Sequence, residues 1–183
     1  MKVLIDADTG VDDAVALLYA MFKPQYEIVG ISNVCGNVEA SLAAENTLKI
    51  LDLADAPDIP VAVGASQPLK GKWEGRVSFI HGDNGIGNAE LPPSSRKILQ
   101  ENVEDFHMRL AEQYDGELVL ITLGPLTNVA RTLEKYPSFA KKIKKMIMMG
   151  GTVNMRGNIS PMGEANIVGD PEACDAVFLS GMD

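Results

Sequence analysis

Four aspartates are crowded into eight residues near the start of the chain. The sequence reads MKVLI and then DADTGVDDAVALL, so Asp6, Asp8, Asp12 and Asp13 fall between two apolar stretches. One or two acids before a helix can serve as an N-cap or favour the helix dipole. Four close carboxylates repel one another and need a cation or shared protons. Because Gly10 lets the chain turn so that both pairs face one point, the cluster predicts a site for a hard cation, Mg²⁺ or Ca²⁺.

Short apolar runs alternate with helical patterns along the rest of the chain. The predicted strands are residues 3–5, 26–34, 61–63, 118–123 and 145–149. The predicted helices are residues 11–21, 40–54, 103–114, 126–136 and 171–181. This alternation is typical of an α/β fold with an open, mostly parallel, Rossmann-like sheet and helices on both faces. We expect one domain over residues 1–183, with a long irregular excursion over residues 64–100.

Polar and glycine-rich stretches recur where the predicted strands end. Residues 6–13 follow the first strand, residues 36–37 the second, residues 124–128 the fourth and residues 150–151 the fifth. In open parallel sheets, ligands bind beyond the carboxyl ends of the strands. The recurrence therefore predicts one site along that edge of the sheet.

The composition narrows the classes of partner. A formal net charge of -9 and a pI near 4.7 argue against a nucleic-acid or anionic-membrane surface, which would need clustered Lys and Arg. No signal peptide or transmembrane run is recognisable. Cys35 and Cys174 are isolated and lack metal-type spacing, so we interpret both as small buried residues of a cytoplasmic protein.

Two enzyme families carry an aspartate cluster of this kind. Asp6 and Asp8 after an apolar strand resemble the motif of haloacid dehalogenase-type phosphatases, in which Asp6 would be the nucleophile and Mg²⁺ the cofactor. The stretch from Gly169 to Asp175 matches their later acidic motif. The full run from Asp6 onward is more similar to the DxDxGxDDA signature of the nucleoside hydrolase family, the inosine–uridine type.

Further segments of the chain favour the second resemblance. They are VCGN at 34–37, HGDNGIGN at 81–88, GPLTNVA at 124–130, MGG at 149–151, GN at 157–158 and EANIVGDPEA at 164–173. All resemble nucleoside hydrolase segments in the same order, and together they cover nearly the whole chain. The resemblance implies a nucleoside hydrolase fold and Ca²⁺-dependent hydrolysis of ribonucleosides to ribose and free base.

The resemblance also implies roles for individual residues. Asp8 matches a general base that also binds Ca²⁺, Asp13 a second carboxylate ligand, and Leu123 a main-chain carbonyl ligand. Asp12 matches a residue that binds the ribose hydroxyls, and Asp6 is expected to orient the loop. The remaining matches lie around the substrate: Asn37, Asn158, Glu164 and Asn166 at the sugar, Met149 at the pocket floor and His81 near the nucleobase.

Simpler interpretations stay open for several of these residues. An asparagine beside glycine is often a turn residue, which applies to Asn37 and Asn158. A strand methionine such as Met149 is usually core packing, and His81 could be a loop histidine without a role. His107 lies in an amphipathic helix pattern, and we interpret it as structural.

Family chains are considerably longer than 183 residues. Their later part supplies another aspartate ligand and, in some members, a histidine that protonates the leaving base. We therefore expect this chain to correspond to the N-terminal part of the family's length. The hypotheses are a Ca²⁺-dependent nucleoside hydrolase, a Mg²⁺-dependent phosphatase with Asp6 as nucleophile, and an inactive nucleoside-binding fragment. The family also implies a homodimer or homotetramer.

Overall fold

Five parallel strands form one sheet in the computed structural model, which describes residues 1–183. The strands are β1 (Lys2–Ala7), β2 (Glu27–Asn33), β3 (Val61–Val63), β4 (Leu118–Thr122) and β5 (Ile143–Met148). Their order across the sheet is β3-β2-β1-β4-β5. β1 is central, so residues that follow it lie between the ends of β2 and β4. The predicted open parallel sheet is confirmed.

Helices connect the strands and cover the sheet. The longer ones are α1 (Val11–Met21), α2 (Ala40–Leu53), α4 (Val103–Gln113), α5 (Thr127–Lys135) and α8 (Pro171–Phe178). The short ones are α3 (Ser78–His81), α6 (Phe139–Lys142) and α7 (Ala165–Gly169). None of these helices has the length and apolar character needed to cross a bilayer.

The alternation of side chains along β1 divides the core between the two faces of the sheet. Leu4 points into a cluster built mainly from β4, α4, α5 and α8. Val3, Ile5 and Ala7 point into a cluster with α1 and α2. Both faces of β1 are therefore buried, as expected for a central parallel strand.

β1 is longer than the sequence predicted, and this changes the environment of Asp6. The strand continues through Ala7 instead of ending at residue 5, and Asp6 pairs with Ser32 on β2 and Thr122 on β4. Its side chain is completely buried. The pattern of apolar residues did not predict this extension, because the apolar run stops at residue 5. A buried carboxyl can still occupy a strand position when it has hydrogen-bond partners.

β5 begins two residues before the predicted strand, and α8 ends three residues before the predicted helix. The structure also contains short helices that the sequence pattern did not predict. The excursion over residues 64–100 is irregular, as predicted, except for the single turn of α3. Two more short helices, α6 and α7, precede β5 and α8. Helices of four or five residues are too short to produce a periodic apolar pattern.

Asp170 joins the irregular excursion to the helical layer. It caps α8, because its Oδ1 accepts from the main-chain nitrogen of Ala173 at 3.0 Å. Its Oδ2 accepts from the main-chain nitrogen of Leu69 at 2.8 Å and from Thr127 Oγ1 at 2.6 Å. These bonds hold residues around Leu69 against α5 and α8. Cys35 and Cys174 are both buried free thiols, as predicted.

Candidate functional site

The predicted site residues gather at the carboxyl edge of the sheet. Asp8 directly follows β1, Leu123 follows β4 and Met149 follows β5. Gly36 and Asn37 lie in the connection from β2 to α2. Parallel strands present these ends on the same edge, so the recurrence seen in the sequence corresponds to one region of the molecule.

Asn37 joins the two buried carboxylates of the cluster. Its main-chain nitrogen donates to Asp8 Oδ2 at 2.7 Å, and its side-chain nitrogen donates to Asp13 Oδ2 at 3.2 Å. The main-chain nitrogen of Gly10 also donates to Asp13 Oδ2, at 2.8 Å. Asp8 and Asp13 are 2% and 3% exposed. Asn37 is thus part of the acid site and does more than form a turn.

Burial and mutual repulsion disfavour the ionised forms of these two acids. The pKa of Asp8 is raised well above its ordinary range, first by burial and then by the charge of Asp13. Burial raises the pKa of Asp13 to about 7, with a smaller contribution from the charge of Asp12 in the same direction. Asp8 Oδ1 is buried and has no hydrogen-bond partner. A bound cation would supply that partner and favour both ionised forms.

The donor set fits a hard divalent cation but is small. No three His, Cys, Asp or Glu side chains are close enough to hold a metal by themselves. Asp8 and Asp13 supply carboxylate oxygens, and the main-chain oxygen of Leu123 is the third predicted donor. Oxygen donors of this kind suit Ca²⁺ or Mg²⁺, which take six or more ligands and complete their shells with water or substrate oxygens.

Glycines allow the chain to approach Asp8 closely. A Cβ atom added to Gly36 would lie 2.0 Å from Asp8 Oδ2, and one added to Gly124 would lie 2.9 Å from Asp8 Oδ1. A Cβ atom on Gly10 would lie 2.6 Å from His81 Nδ1 and 2.7 Å from Asn37 Nδ2. Side chains at these three positions would displace the acid site.

His81 lies beside the acid cluster, at the first turn of α1. Its Nδ1 accepts from the main-chain nitrogen of Val11 at 3.2 Å and lies 3.7 Å from Asp12 Oδ1. The His81 side chain is 8% exposed, whereas the Asp12 side chain is 72% exposed. The adjacent acids therefore differ: Asp13 faces inward and Asp12 remains available to a ligand.

Asn166 connects the ends of β4 and β5. Its Nδ2 donates to the main-chain oxygen of Leu123 at 2.7 Å and to that of Met149 at 3.0 Å. Met149 is 47% exposed, so it is not core packing. Asn166 also faces a cavity that contains Asp8.

Glu164 and Asn158 organise the chain around Asn166. Glu164 caps α7 by accepting from the main-chain nitrogens of Asn166 at 3.0 Å and Ile167 at 3.3 Å, and it accepts from that of Gly151 at 2.8 Å. Asn158 is exposed, and its Oδ1 accepts from the main-chain nitrogen of Ala165 at 2.9 Å. Both residues therefore have local structural roles, and they differ in exposure, because Glu164 is buried and Asn158 is exposed.

A cavity of about 540 Å³ opens next to Asp8 and Asn37. Asn166 lines it, as does Trp73, which sequence reasoning did not assign to the site. The Trp73 indole nitrogen donates to the main-chain oxygen of Gly36 at 2.8 Å. One feature of the sequence could have indicated a role for Trp73: it is the single tryptophan of the chain, and it lies in the irregular excursion. The volume is that of an ordinary small-molecule pocket.

Asp6 is separated from this cavity. It is fully buried, and its Oδ1 accepts from Ser32 Oγ at 2.5 Å and Asn128 Nδ2 at 2.8 Å. Burial raises the pKa of Asp6 to about 7. A carboxyl in this environment has no access to a phosphate ester, which argues against Asp6 as a phosphatase nucleophile. Its position agrees with the expected orienting role.

Comparison with known proteins gives consistent matches. The family model for inosine-uridine preferring nucleoside hydrolase matches residues 3–183. Uridine nucleosidase 1 of Arabidopsis thaliana is 46% identical over 182 residues, covering 100% of this chain and 54% of the relative. The non-specific ribonucleoside hydrolase RihC of Salmonella enteritidis is 35% identical over 187 residues, covering 100% and 59%.

Solved structures agree with these matches. The plant nucleoside hydrolase PpNRh1 superposes with a TM-score of 0.95 at 39% identity, covering 100% of this chain and 57% of the other. A purine-preferring ribonucleoside hydrolase from Gardnerella vaginalis gives 0.95 at 41% identity, covering 99% and 58%. The chain spans a little over half the length of the relatives it matches.

Proposed function

Because the chain belongs to the inosine-uridine preferring nucleoside hydrolase family, we propose that it hydrolyses the N-glycosidic bond of ribonucleosides, giving ribose and a free base. The observation that carries this proposal is the buried pair of Asp8 and Asp13, joined by Asn37 beside a cavity of about 540 Å³. Relatives of both uridine and purine preference match the chain, so the preferred base is left open.

Asp8 is assigned as the general base. Hydrolysis breaks the bond between C1′ of the ribose and a nitrogen of the base, and a water oxygen forms the new bond to C1′. The Asp8 carboxylate accepts a proton from that water. The electron pair of the broken bond leaves with the base, which takes up a proton from solvent, and Asp8 returns its own proton to solvent. The sugar passes through an oxocarbenium-like state that nearby carboxylates stabilise.

We assign Ca²⁺ to Asp8, Asp13 and the main-chain oxygen of Leu123. When bound, the cation would supply Lewis-acid activation of the attacking water. The raised pKa values of Asp8 and Asp13 support the assignment, since two buried carboxyls need positive charge nearby to be ionised at neutral pH. Asp6, behind them, is proposed to hold the loop in position.

The sugar and base contacts are assigned to residues that keep hydrogen-bonding capacity for a ligand. Asp12 presents an exposed carboxylate suited to two vicinal hydroxyls. A carboxylate has about four acceptor positions, so Glu164 can still accept a hydroxyl beyond its three main-chain donors. The other proposed contacts are Asn37, Asn158 and Asn166 at the sugar, Met149 below it and His81 toward the base.

Two chromogenic substrates test the reaction class. We expect release of p-nitrophenol from the riboside with Ca²⁺ present and none from p-nitrophenyl phosphate with Mg²⁺ present. Asp8→Asn should lower the rate about 10²–10⁴-fold, the usual effect of losing a general base. Asp6→Asn serves as the matched control and should cost only ~10–100-fold, as expected for a residue that supports a ligand. Phosphate hydrolysis that Asp6→Asn abolishes would establish the phosphatase instead.

Calorimetry tests the hypothesis that the chain binds nucleosides without hydrolysing them. If the chain bound uridine or inosine with measurable heat, and neither nucleoside nor riboside were hydrolysed, it would be a binding module. The buried acid pair is itself more consistent with catalysis than with binding of an uncharged sugar, because its desolvation is unnecessary for binding alone.

We infer further that copies of the chain associate as a dimer or tetramer. Support comes from α1 and the residue that follows it, where Val15, Tyr19 and Phe22 are 62%, 59% and 71% exposed. Adjacent exposed apolar side chains are typical of protein interaction surfaces. Light scattering checks this inference, and a concentration-independent monomer would contradict it. A cytoplasmic location remains a prediction.

A further inference from the structure

His107 lies at the centre of a buried ring of hydrogen bonds behind the acid site. It belongs to α4 and has no exposed surface, and its imidazole stacks on the Phe139 ring at 6.0 Å between centroids. Its Nε2 lies 2.8 Å from Ser32 Oγ, and its Nδ1 lies 3.1 Å from Thr132 Oγ1. Both nitrogens of the buried imidazole therefore have a hydroxyl partner.

The ring closes through Asp6 and Asn128. Ser32 Oγ is 2.5 Å from Asp6 Oδ1, and Thr132 Oγ1 donates to the main-chain oxygen of Asn128 at 2.8 Å. Asn128 Nδ2 then donates to Asp6 Oδ1 at 2.8 Å. The members come from β1, β2, α4 and α5, so the ring ties the helical layer to the two central strands.

The ring contains one more hydrogen-bonded link than an ionised Asp6 and a neutral His107 would allow. Four links run from Asp6 through Ser32, His107 and Thr132 to the Asn128 carbonyl. The two hydroxyls and a neutral imidazole supply one hydrogen each, which leaves one link without any. The missing hydrogen is on Asp6 or on His107. In either place the ring has no net charge.

The ring is linked to the main chain around the acid site. The Asp6 main-chain oxygen also accepts from the nitrogen of Leu123 at 2.7 Å, so movement of Asp6 would displace the Leu123 carbonyl. Asn128 Oδ1 accepts from the nitrogen of Ala65 at 2.8 Å and thereby holds the β3 end.

We propose that His107 is a positioning residue for the candidate site: through Ser32 it fixes the Asp6 side chain, and through Thr132 it fixes Asn128. The inference rests on the proposed function in one respect only, namely the reaction that takes place at the site that His107 positions. His107 touches neither the cavity nor the acid pair, and its effect reaches the site through the Leu123 and Ala65 backbone.

Amide hydrogen exchange of the calcium-free chain tests this directly. His107→Phe keeps an aromatic ring and removes both polar atoms. Phe106→Leu is the matched control, because Phe106 is the fully buried neighbour on α4 and is not part of the ring. In His107→Phe, the exchange rates of the Leu123 and Ala65 amides should rise about tenfold relative to those of the α2 amides. A factor of about ten corresponds to the free energy of one ordinary hydrogen bond.

Ser32→Ala breaks the same ring from the neighbouring strand, so it should give the same local pattern, and combining it with His107→Phe should add little. The control should raise exchange evenly or not at all. If Phe106→Leu accelerated Leu123 and Ala65 as much as His107→Phe did, or if His107→Phe accelerated neither, His107 would be ordinary core packing and the inference would be overturned.

Calcium titration separates this result from the proposed function. If the wild type binds Ca²⁺, His107→Phe should weaken the affinity about 10–100-fold, as expected for residues that support ligands, and Phe106→Leu should leave it unchanged. Equal affinities in His107→Phe and the wild type would overturn the inference. If the wild type binds no Ca²⁺, the metal assignment fails, and the exchange measurement alone decides the role of His107.

Discussion

The side-chain amide of Asn166 donates to the main-chain oxygen of Leu123 at 2.7 Å. A carbonyl oxygen has two acceptor positions, so a donor on one side fixes the direction in which the other can bind a cation. Asn166 also reaches the main-chain oxygen of Met149 at 3.0 Å. A residue predicted from the sequence as a sugar contact thus also orients the main-chain donor of the proposed calcium site.

The first prediction follows from that bond. Asn166→Ala should lower calcium affinity by about tenfold, because the Leu123 carbonyl loses the group that orients it. Asn158→Ala is the control, since Asn158 is exposed and bonds only the nitrogen of Ala165. Calorimetric titration with Ca²⁺ measures both variants. An unchanged affinity in Asn166→Ala, or an equal loss in Asn158→Ala, would show that this bond does not contribute to the metal site.

The sequence predicted the sheet, its longer helices and the edge at which the site lies. This worked because apolar runs and helical periods are local properties, and strand ends in a parallel sheet meet at one edge. The family resemblance also implied different roles for the individual aspartates. Which acid faces inward could not be read from the run of letters, because adjacent Asp12 and Asp13 differ only in the direction that the first turn of α1 gives them.

Long-range contacts explain the residues that sequence reasoning missed or described incompletely. His107 was interpreted as structural, and it is buried, but its bond to Ser32 joins residues 75 positions apart. Trp73 reaches Gly36 across 37 positions. No local pattern predicts such pairs. The buried position of Asp6 likewise depends on Asn128, which is 122 positions away.

The second prediction compares the two adjacent acids. Asp13→Asn should abolish stabilisation by calcium, which for the wild type amounts to about 2.7 kcal/mol when free Ca²⁺ is one hundred times the dissociation constant. Asp12→Asn removes the same charge from an exposed position and should retain most of that stabilisation while raising KM for the nucleoside. Thermal unfolding with and without Ca²⁺ gives the comparison. Equal effects of the two substitutions would point to general electrostatic attraction instead of a ligand role for Asp13.

The third prediction concerns pH in the absence of calcium. The pKa of Asp13 is about 7 in the folded chain, against 3.8 for an ordinary aspartate, so between these values the folded state keeps a proton that the unfolded state has lost. The free energy of unfolding should therefore fall as the pH rises through about 4 to 7. Burial lowers the pKa of His107 to about 3, which acts in the opposite sense and offsets the similar contribution of Asp6.

Asp13→Asn removes the Asp13 contribution to this pH dependence and lowers that of Asp8, whose pKa the Asp13 charge helps to raise, while it keeps Asp6 and His107 unchanged. Urea unfolding at several pH values should show a smaller decline in Asp13→Asn than in the wild type. Saturating Ca²⁺ should reverse the decline in the wild type alone, since the cation favours the ionised carboxylates. Parallel stability curves for the two proteins would mean that Asp13 titrates normally and does not lie in the environment described.

The last prediction uses Trp73, the single tryptophan of the chain. Trp73 lines the cavity that contains Asp8, Asn37 and Asn166, and its indole nitrogen is bound to the Gly36 carbonyl. A nucleoside in that cavity should change the polarity around the indole, so uridine or inosine should shift or quench the tryptophan emission in a saturable way. Trp73→Phe provides the blank. Unchanged emission at nucleoside concentrations that calorimetry shows to be saturating would place the nucleoside outside this cavity.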